Sequence, residues 1–447
     1  MRSARHWLVF ALAVFGCREA DAPLRPGGAG HVQVESDPQG ANIWVEGTDR
    51  HKVTPDTVRG LSGRTELSVF RDSAGGRYGF MINLDVQPDS VVRVLGPLLL
   101  QRCGNTCGLV RSHGPNRVQF SRSPSGPLFY TDGSGDGLRW PAPTNNSYVS
   151  IGVPLFAGLV GGLDTVAIGI YDLNYYVGRP FPRVNNVGDF SLQQTYWLLP
   201  PLLQALTVRG VQVSETVVAS QSVEDVIVIR LVFRNITNLP SYQAVDPLMP
   251  AGGLRFDQVY VGFALDGDIG TSSDDLFSYD PDRNTVFMYD AAFVENAFVS
   301  GASTRPGLVG LRILDAPAGV RMVLNGWPST IGPVSGDWRA GFQSEPIGHA
   351  MLSGQIAHNP DHPNNTIGHL PGVQAADYRI SVSAGPITLA PGDSTFLTVA
   401  VALADPAPGT FTSGTVVSSG DPTAVGRAIM LVAEPLRQRL QAAEALR

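Results

Sequence analysis

The chain almost lacks lysine: among its 447 residues Lys52 is the only one, and arginine supplies the rest of the strong positive charge. A phosphate-binding loop that ends in Gly-Lys, a pyridoxal Schiff base and a Ser-Lys dyad each need a lysine amine at the site. Unless Lys52 provides that amine, the sequence excludes these three chemistries.

Charged residues are scarce as well, at 16%, and the formal net charge is -7. Binding to a phosphate backbone needs clustered positive charge, so nucleic acid is not an expected partner. Hydrophobic residues make up 43% of the chain, which is enough to fill folded cores. The 50 glycines and 34 prolines follow no fixed period. They favour many short strands joined by turns, and we predict an all-β fold.

Long hydrophobic runs are missing too. A membrane-spanning helix needs roughly 20 apolar residues, and residues 7–15 and 153–162 are both shorter. The second run is interrupted by Pro154, Gly158 and Gly161, and we interpret it as a buried strand pair. The first run follows Arg2 and Arg5, which is the layout of an export signal.

The export segment ends in Val14-Phe15-Gly16-Cys17, which resembles the lipobox of bacterial lipoproteins. The resemblance implies cleavage before Cys17 and acylation of that cysteine. Residues 1–17 are the lipoprotein signal peptide together with the cysteine that becomes the new N-terminus. The alternative is ordinary secretion. Arg18 stands where the inner-membrane retention signal has aspartate, which implies the outer membrane. Residues 18–30 are rich in proline and glycine and are predicted to be a flexible tether.

The two remaining cysteines, Cys103 and Cys107, flank a turn-forming Gly-Asn-Thr. Because an exported chain meets an oxidising compartment, we predict a small disulfide between them. A metal site with two thiolates is the alternative, although zinc normally takes four ligands.

Residues 31–97 contain a series of turn residues in a specific order. These are Ser36-x-Pro38-x-Gly40-Ala41, Val45-x-Gly47, Thr54-Pro55 and Leu61-x-Gly63. The series resembles the PEGA module, a small Ig-like β-sandwich, and implies a non-catalytic accessory or spacer role. From the alternation of apolar residues we also expect two paired strands on either side of the turn at residues 37–40.

Residues 98–430 are predicted to form a larger β-sandwich region, of one domain or two abutting ones. Residues 226–235 are β-branched and suit a central strand, and residues 256–266 are its expected neighbour. Residues 190–206 fit a strand or a helix broken by prolines. Pro391-Gly392 predicts a type II turn before a further strand. From about residue 225 onward, this region resembles secreted bacterial β proteins of unknown role.

Residues 431–447 carry leucines at helical spacing from Glu434 onward, at Leu436 and Leu440. We predict a terminal amphipathic helix that packs on the sandwich. A coiled-coil partner helix is disfavoured because fewer than three heptads are available.

One acidic loop is the best candidate site. Asp266, Asp268, Asp274 and Asp275 are closely spaced, with Asp280 and Asp282 just beyond. Carboxylates spaced in this way can supply oxygen ligands to calcium, so we name the first four as candidate calcium ligands. The alternatives are a solvated turn without an ion and a catalytic role.

A second candidate is the loop with His358, Asp361 and His362, near His349 and His369. Prolines within it forbid a regular helix, so a surface loop is favoured over a zinc site. Four aromatic residues are candidates either for a sugar-stacking platform or for the core: Trp140, Tyr175, Tyr176 and Trp197.

No nucleophile elbow and no zinc-protease helix are present in the sequence, and no catalytic residue is named. We therefore predict an envelope-anchored lipoprotein with a non-catalytic binding or envelope-organising role. Its expected partners are the membrane, through the lipid anchor, and an envelope glycan or protein. The alternative function is a secreted hydrolase acting on glycans or peptides.

Overall fold

The computed structural model describes the following residues: 29–37, 39–45, 48–73, 76–97, 99–100, 111–122, 128–129, 137–161, 164–168, 175–177, 183–185, 190–198, 210–243, 249–291, 306–328, 345–355, 375–409 and 428–447. The chain divides into two compact units, Met1–Arg102 and Cys103–Arg447. The described residues are mainly strands, which confirms the all-β prediction. Within them, no helix has the length and apolar character needed to cross a membrane.

The first unit contains two sheets. Its strands are β1 (Gly30–Asp37), β2 (Asn42–Val45), β3 (Thr48–Val53), β4 (Asp56–Leu61), β5 (Gly63–Ser73), β6 (Gly76–Val86), β7 (Val91–Pro97) and β8 (Leu99–Leu100). Sheet A has the order β4-β1-β7, with β1 and β7 parallel. Sheet B has the order β3-β2-β5-β6-β8. Buried valines, leucines and Ile43 from both sheets form one core.

The predicted pairing of the first two strands is wrong, because β1 belongs to sheet A and β2 to sheet B. Polar contacts show why the chain crosses between the sheets here. The Thr54 hydroxyl lies 2.5 Å from that of Ser36 and accepts the Ala41 N–H at 3.0 Å. Gly40, with a φ of 87°, takes the left-handed conformation that this crossing requires.

The second unit is built from longer strands. They are β9 (Arg111–His113), β10 (Gln119–Arg122), β11 (Leu138–Arg139), β12 (Ser147–Val160), β13 (Asp164–Ile168), β14 (Tyr175–Val177), β15 (Arg183–Asn185), β16 (Phe190–Leu198), β17 (Val211–Ser220), β18 (Val223–Asn235), β19 (Phe256–Gly267), β20 (Asp275–Asp280), β21 (Thr285–Asp290), β22 (Leu308–Asp315), β23 (Arg321–Pro328), β24 (Tyr378–Leu389) and β25 (Ser394–Ala404). The described strands of sheet C run β23-β24-β19-β12-β11-β10-β9, with β13 beside β12. Those of sheet D run β14-β16-β17-β18-β25-β22-β21-β20, with β15 beside β16.

Sheets C and D contribute to one hydrophobic core. Alternate residues of β19 belong to it, whereas β18 and β25 also contribute consecutive residues. Across this core the buried Arg122 of sheet C forms an ion pair with the buried Glu215 of sheet D. A short helix, α1 (Pro240–Gln243), lies in the connection that follows β18.

Two further helices pack on this unit. Met351 and Leu352 of α2 (Glu345–Leu352) join a buried cluster with residues of β12 and β19. The terminal helix α3 (Glu434–Ala442) buries Leu436 and Leu440 against sheet D, as predicted. Gly310 makes room for it, because a Cβ there would be 3.0 Å from both leucines.

Strand β18 lies in the middle of sheet D, as predicted, but its neighbours are β17 and β25. The expected neighbour, β19, is in sheet C. The reason lies in the connection between the two strands, where the Asn235 amide donates to the carbonyls of Leu254 and Leu389. These hydrogen bonds hold the connection at the point where the chain leaves sheet D.

Three other expectations have clear outcomes. In the run at residues 153–162, residues 153–160 belong to one long strand, β12, and not to a strand pair. The ambiguous segment 190–206 begins with a strand, β16. Pro391-Gly392 forms the predicted turn: the Asp393 N–H donates to the Ala390 carbonyl at 3.0 Å, and Gly392 has a φ of 95°.

Candidate functional site

The predicted acidic loop joins β19 of sheet C to β20 of sheet D. Asp266 lies near the end of β19, directly opposite Arg379 of β24. Both side chains are buried, and Arg379 Nη2 donates to Asp266 Oδ2 at 3.1 Å, with Nε 2.9 Å from Oδ1. The arginine therefore neutralises one carboxylate of the loop.

Asp275 begins β20 and lies directly opposite Asp290, the last residue of β21. Both are fully buried. The Ile269 N–H donates to Asp275 Oδ2 at 3.2 Å, and the Ala376 N–H donates to the Asp275 carbonyl. Like charges placed directly opposite each other on paired strands destabilise a sheet, so these two carboxyls do not favour being ionised together.

Asp268 is only partly buried. Burial raises its pKa to about 6, and the negative charges of Asp266 and Asp377 add to the effect, while the Ser150 hydroxyl and Arg379 oppose it. At pH 6 the Asp268 carboxyl therefore carries a proton in about half of the protein molecules.

Asp275 shows the same behaviour more strongly. Burial raises its pKa well above the usual range, and the Ile269 N–H opposes that shift. The charges of Asp268, Asp290 and Asp274 raise it further. Together with Asp266 and Asp377, these residues form a group of six mutually interacting carboxyls, which we call the acidic cluster.

Asp280 and Asp282 are not part of the acidic cluster. Asp280 is buried at the opposite end of β20, five residues from Asp275, which is roughly 17 Å along a strand. It lies 3.3 Å from Arg283 Nη1 and 2.9 Å from Arg437 Nε. Asp282 is exposed. The structure thus separates the acids that the sequence placed in one loop.

The acidic cluster is not the solvated turn that the sequence left open, because Asp266, Asp275 and Asp290 are buried. In the described part of the chain, no three His, Cys, Asp or Glu side chains are grouped so as to hold a metal ion. Calcium binding by Asp266, Asp268, Asp274 and Asp275 therefore remains a prediction. What the cluster can do as it stands is hold protons.

The other predicted site residues divide into two sets. Some lie outside the described residues: Cys17, Cys103, Cys107, His358, Asp361, His362 and His369. Others are described. His349 is buried on α2, with Nε2 3.0 Å from the Gln258 carbonyl. Trp140 is buried in the core and donates from Nε1 to Asp225 Oδ1 at 2.6 Å, so it is not part of a sugar-stacking platform.

Two members of the acidic cluster were missed from the sequence, Asp290 and Asp377, and so was the pairing of Asp266 with Arg379. Asp290 reaches the cluster through the pairing of β20 with β21, and Arg379 reaches Asp266 through the pairing of β19 with β24. No local pattern in the sequence carries that information.

No family model matches the chain, and no curated protein matches it. Two solved structures show a weak likeness. One, described as a proposed aldose 1-epimerase from Escherichia coli K12, is 11% identical, with a TM-score of 0.27, covering 66% of this chain and 99% of that one. The other, described as a polysaccharide lyase, is 10% identical, with a TM-score of 0.27, covering 68% of this chain and 33% of that one. Both TM-scores are too low to assign a fold family or an activity to this chain.

Proposed function

We propose that this chain is an envelope-anchored lipoprotein with a non-catalytic binding or envelope-organising role. The N-terminal sequence supports the anchor, through Arg2, Arg5, the apolar run and Cys17. Two acyl chains on Cys17 would give stable attachment, which a single chain does not. Residues 18–30 then act as the tether, and the PEGA-like unit acts as a spacer or accessory module.

The non-catalytic role is supported by the contacts that the buried aspartates make within the protein. Asp266 is held by Arg379, and Asp275 accepts the Ile269 N–H. Asp280 is paired with Arg437, and Asp225 accepts the Trp140 N–H. These buried carboxyls hold strands and helices in place, whereas a catalytic acid must reach a substrate.

The anchor is tested by mass spectrometry of the N-terminal peptide from native membranes. We expect a peptide that starts at Cys17 and carries acyl chains, in the outer-membrane fraction. Cys17→Ser is the matched control and should leave an unacylated protein. An unmodified, uncleaved N-terminus on the native protein would refute the anchor.

The binding role is tested by sedimentation of the full chain with purified envelope fragments. We expect the chain to sediment with fragments from which lipid has been extracted, since that removes attachment through the anchor alone. A chain that stays wholly in the supernatant would refute binding to envelope glycan or protein.

The second candidate function is a hydrolase acting on glycans or peptides, and one observation favours it. Asp268 has a pKa of about 6 and is partly exposed, while the neighbouring Asp266 is paired with Arg379. A carboxyl whose pKa is raised toward neutrality can serve as a general acid, with a second carboxylate nearby as its catalytic partner.

The hydrolase is tested by release of reducing ends from polysaccharides and of amines from peptides. If it is correct, Asp268→Asn abolishes turnover, while Asp280→Asn at the other end of β20 keeps most of it. Equal turnover by the wild type and Asp268→Asn would exclude the acidic cluster as the catalytic centre.

A further inference from the structure

The outer face of sheet D is only partly covered. Helix α3 covers its β22 and β25 portion, where Leu436 and Leu440 lie over Gly310. Beyond the helix, two large hydrophobic side chains are exposed: Val232 by 41% and Phe396 by 36%. They are directly opposite each other on β18 and β25.

The residues around this pair form two rows across three paired strands. The first row is Ser214, Val232 and Phe396, and the second is Gln212, Arg234 and Ser394. We call these six residues the open face. In the backbone register the second row continues to Trp197 of β16 and then to Tyr176 of β14.

The open face differs in charge from the rest of the chain. It contains one arginine and no acid, whereas the whole chain has 39 acids against 32 lysines and arginines. Arg234 and Ser394 are exposed. A guanidinium on an otherwise neutral surface complements a carboxylate or sulfate group, which it can bind through two parallel hydrogen bonds.

The apolar part of the open face is small, since it consists of one phenylalanine and one valine. A stable protein partner needs about 800 Å² on each side, with a dry centre of several anchors. A sugar chain needs less: an aromatic ring to pack against its C–H face, with hydroxyl, amide and charged groups around it. Ser394 supplies a hydroxyl group and Arg234 a charged group, and both residues are exposed.

Given the binding role proposed above, we infer that the open face binds an anionic glycan, with Phe396 packing against a sugar ring and Arg234 pairing with its acidic group. Because the strands here are continuous and paired, the site is a shallow platform along which an extended polysaccharide lies. This assigns the envelope partner to a chemical class and to a location away from the acidic cluster.

The test is affinity electrophoresis of the full chain, in mild detergent, through gels that contain polygalacturonate. We expect retardation of the wild type, and about tenfold weaker retention for both Phe396→Ala and Arg234→Gln. Leu431→Ala is the matched control, since Leu431 is 62% exposed and is not part of the open face. The control should be retained like the wild type.

Further lanes separate the competing explanations. Dextran, a neutral polysaccharide, should not retard the chain, and equal retardation by dextran would overturn the anionic specificity. Equal retention on duplex DNA would show attraction to any polyanion and would also overturn the inference. Since all the substituted side chains are exposed, each variant should keep the wild-type melting temperature, which confirms that it is folded.

Binding unaffected by Phe396→Ala and Arg234→Gln together would place the glycan site elsewhere. Absence of any retardation, with the wild type still sedimenting with lipid-free envelope fragments, would refute this inference and leave the proposed binding role intact. If Phe396→Ala then abolished sedimentation with envelope fragments that contain only protein, the partner of the open face would be a protein.

Discussion

The hairpin of β20 and β21 buries aspartates at both of its ends, and the two ends deal with them differently. At the open end Asp275 faces Asp290, and the neighbouring groups are mostly other acids. At the turn end Asp280 faces Arg283 and Arg437. At the open end protonation relieves the repulsion between the buried carboxyls, and at the turn end guanidinium groups pair with Asp280.

The difference shows that burial alone does not decide the state of an aspartate. Burial raises the pKa of Asp280 as well, with the charge of Arg283 opposing the shift. At Asp275 the opposing group is a backbone N–H, and three acids reinforce burial. The same residue type on the same hairpin therefore favours protonation at one end, while arginines oppose it at the other.

Arg379→Leu should produce the largest effect, because it removes the cation that pairs with the buried Asp266. Loss of one partner of a buried ion pair costs about 3–5 kcal/mol of unfolding free energy. Urea denaturation at neutral pH measures the loss. Arg283→Leu at the turn end should cost less than about 1 kcal/mol, since Arg283 is more exposed and Arg437 remains on Asp280.

The double variant Asp266→Asn with Arg379→Leu serves as its control. It should recover part of the loss, because no uncompensated charge stays buried. If Arg379→Leu and Arg283→Leu cost the same, the two ends would not differ in the way described.

The pH dependence of stability should also distinguish the ends. Asp268 has a folded pKa of about 6, against an ordinary pKa of 3.8 for an aspartate. Between these values the folded state binds more protons than the unfolded state, so the unfolding free energy falls as pH rises from about 4 to about 6. Asp268 contributes at most about 3 kcal/mol to this fall, and Asp275 extends it to higher pH.

Asp268→Asn should remove the decrease in unfolding free energy between pH 4 and pH 6. Asp280→Asn should leave most of that decrease unchanged. Chemical denaturation at a series of pH values measures both. A slope in that interval that Asp268→Asn does not change would mean that the proton is held elsewhere.

The sequence predicts the parts of this hairpin that depend on local pattern. Asp266, Asp268, Asp274 and Asp275 were named together because few residues separate them in the sequence, and calcium binding by these four stays a prediction. The terminal helix was predicted because Leu436 and Leu440 repeat at helical spacing.

What the sequence does not provide is pairing between distant strands. Arg379 is far from Asp266 along the chain, and only the β19–β24 register brings them together. Burial of Asp275 was missed for the same reason. Alternation shows which residues share a face of a strand, and it does not show what covers that face.

Asp280→Asn should have a smaller effect than Arg379→Leu. It weakens the hydrogen bond from Arg283 within the hairpin turn and the one from Arg437, which links the hairpin to helix α3. We expect a loss of about 1–2 kcal/mol, because both arginines are partly exposed and an amide oxygen still accepts a bond. Glu434→Gln is the control on the same helix: Glu434 also contacts Arg437, at 45% exposure, and its change should cost less than about 0.5 kcal/mol.

Calcium should produce the smallest effect, and it tests the open end directly. A ligand that binds only the folded state raises the melting temperature, and the stabilisation grows with the logarithm of its excess over Kd. Burial raises the pKa of Asp275 well above its usual range, Asp266 is paired with Arg379, and no three of the described acids are grouped around a metal position. We therefore expect excess calcium at neutral pH to leave the melting temperature unchanged. A rise that Asp275→Asn abolishes and Asp280→Asn preserves would show that calcium, and not protons, accommodates the acids at this end of the hairpin.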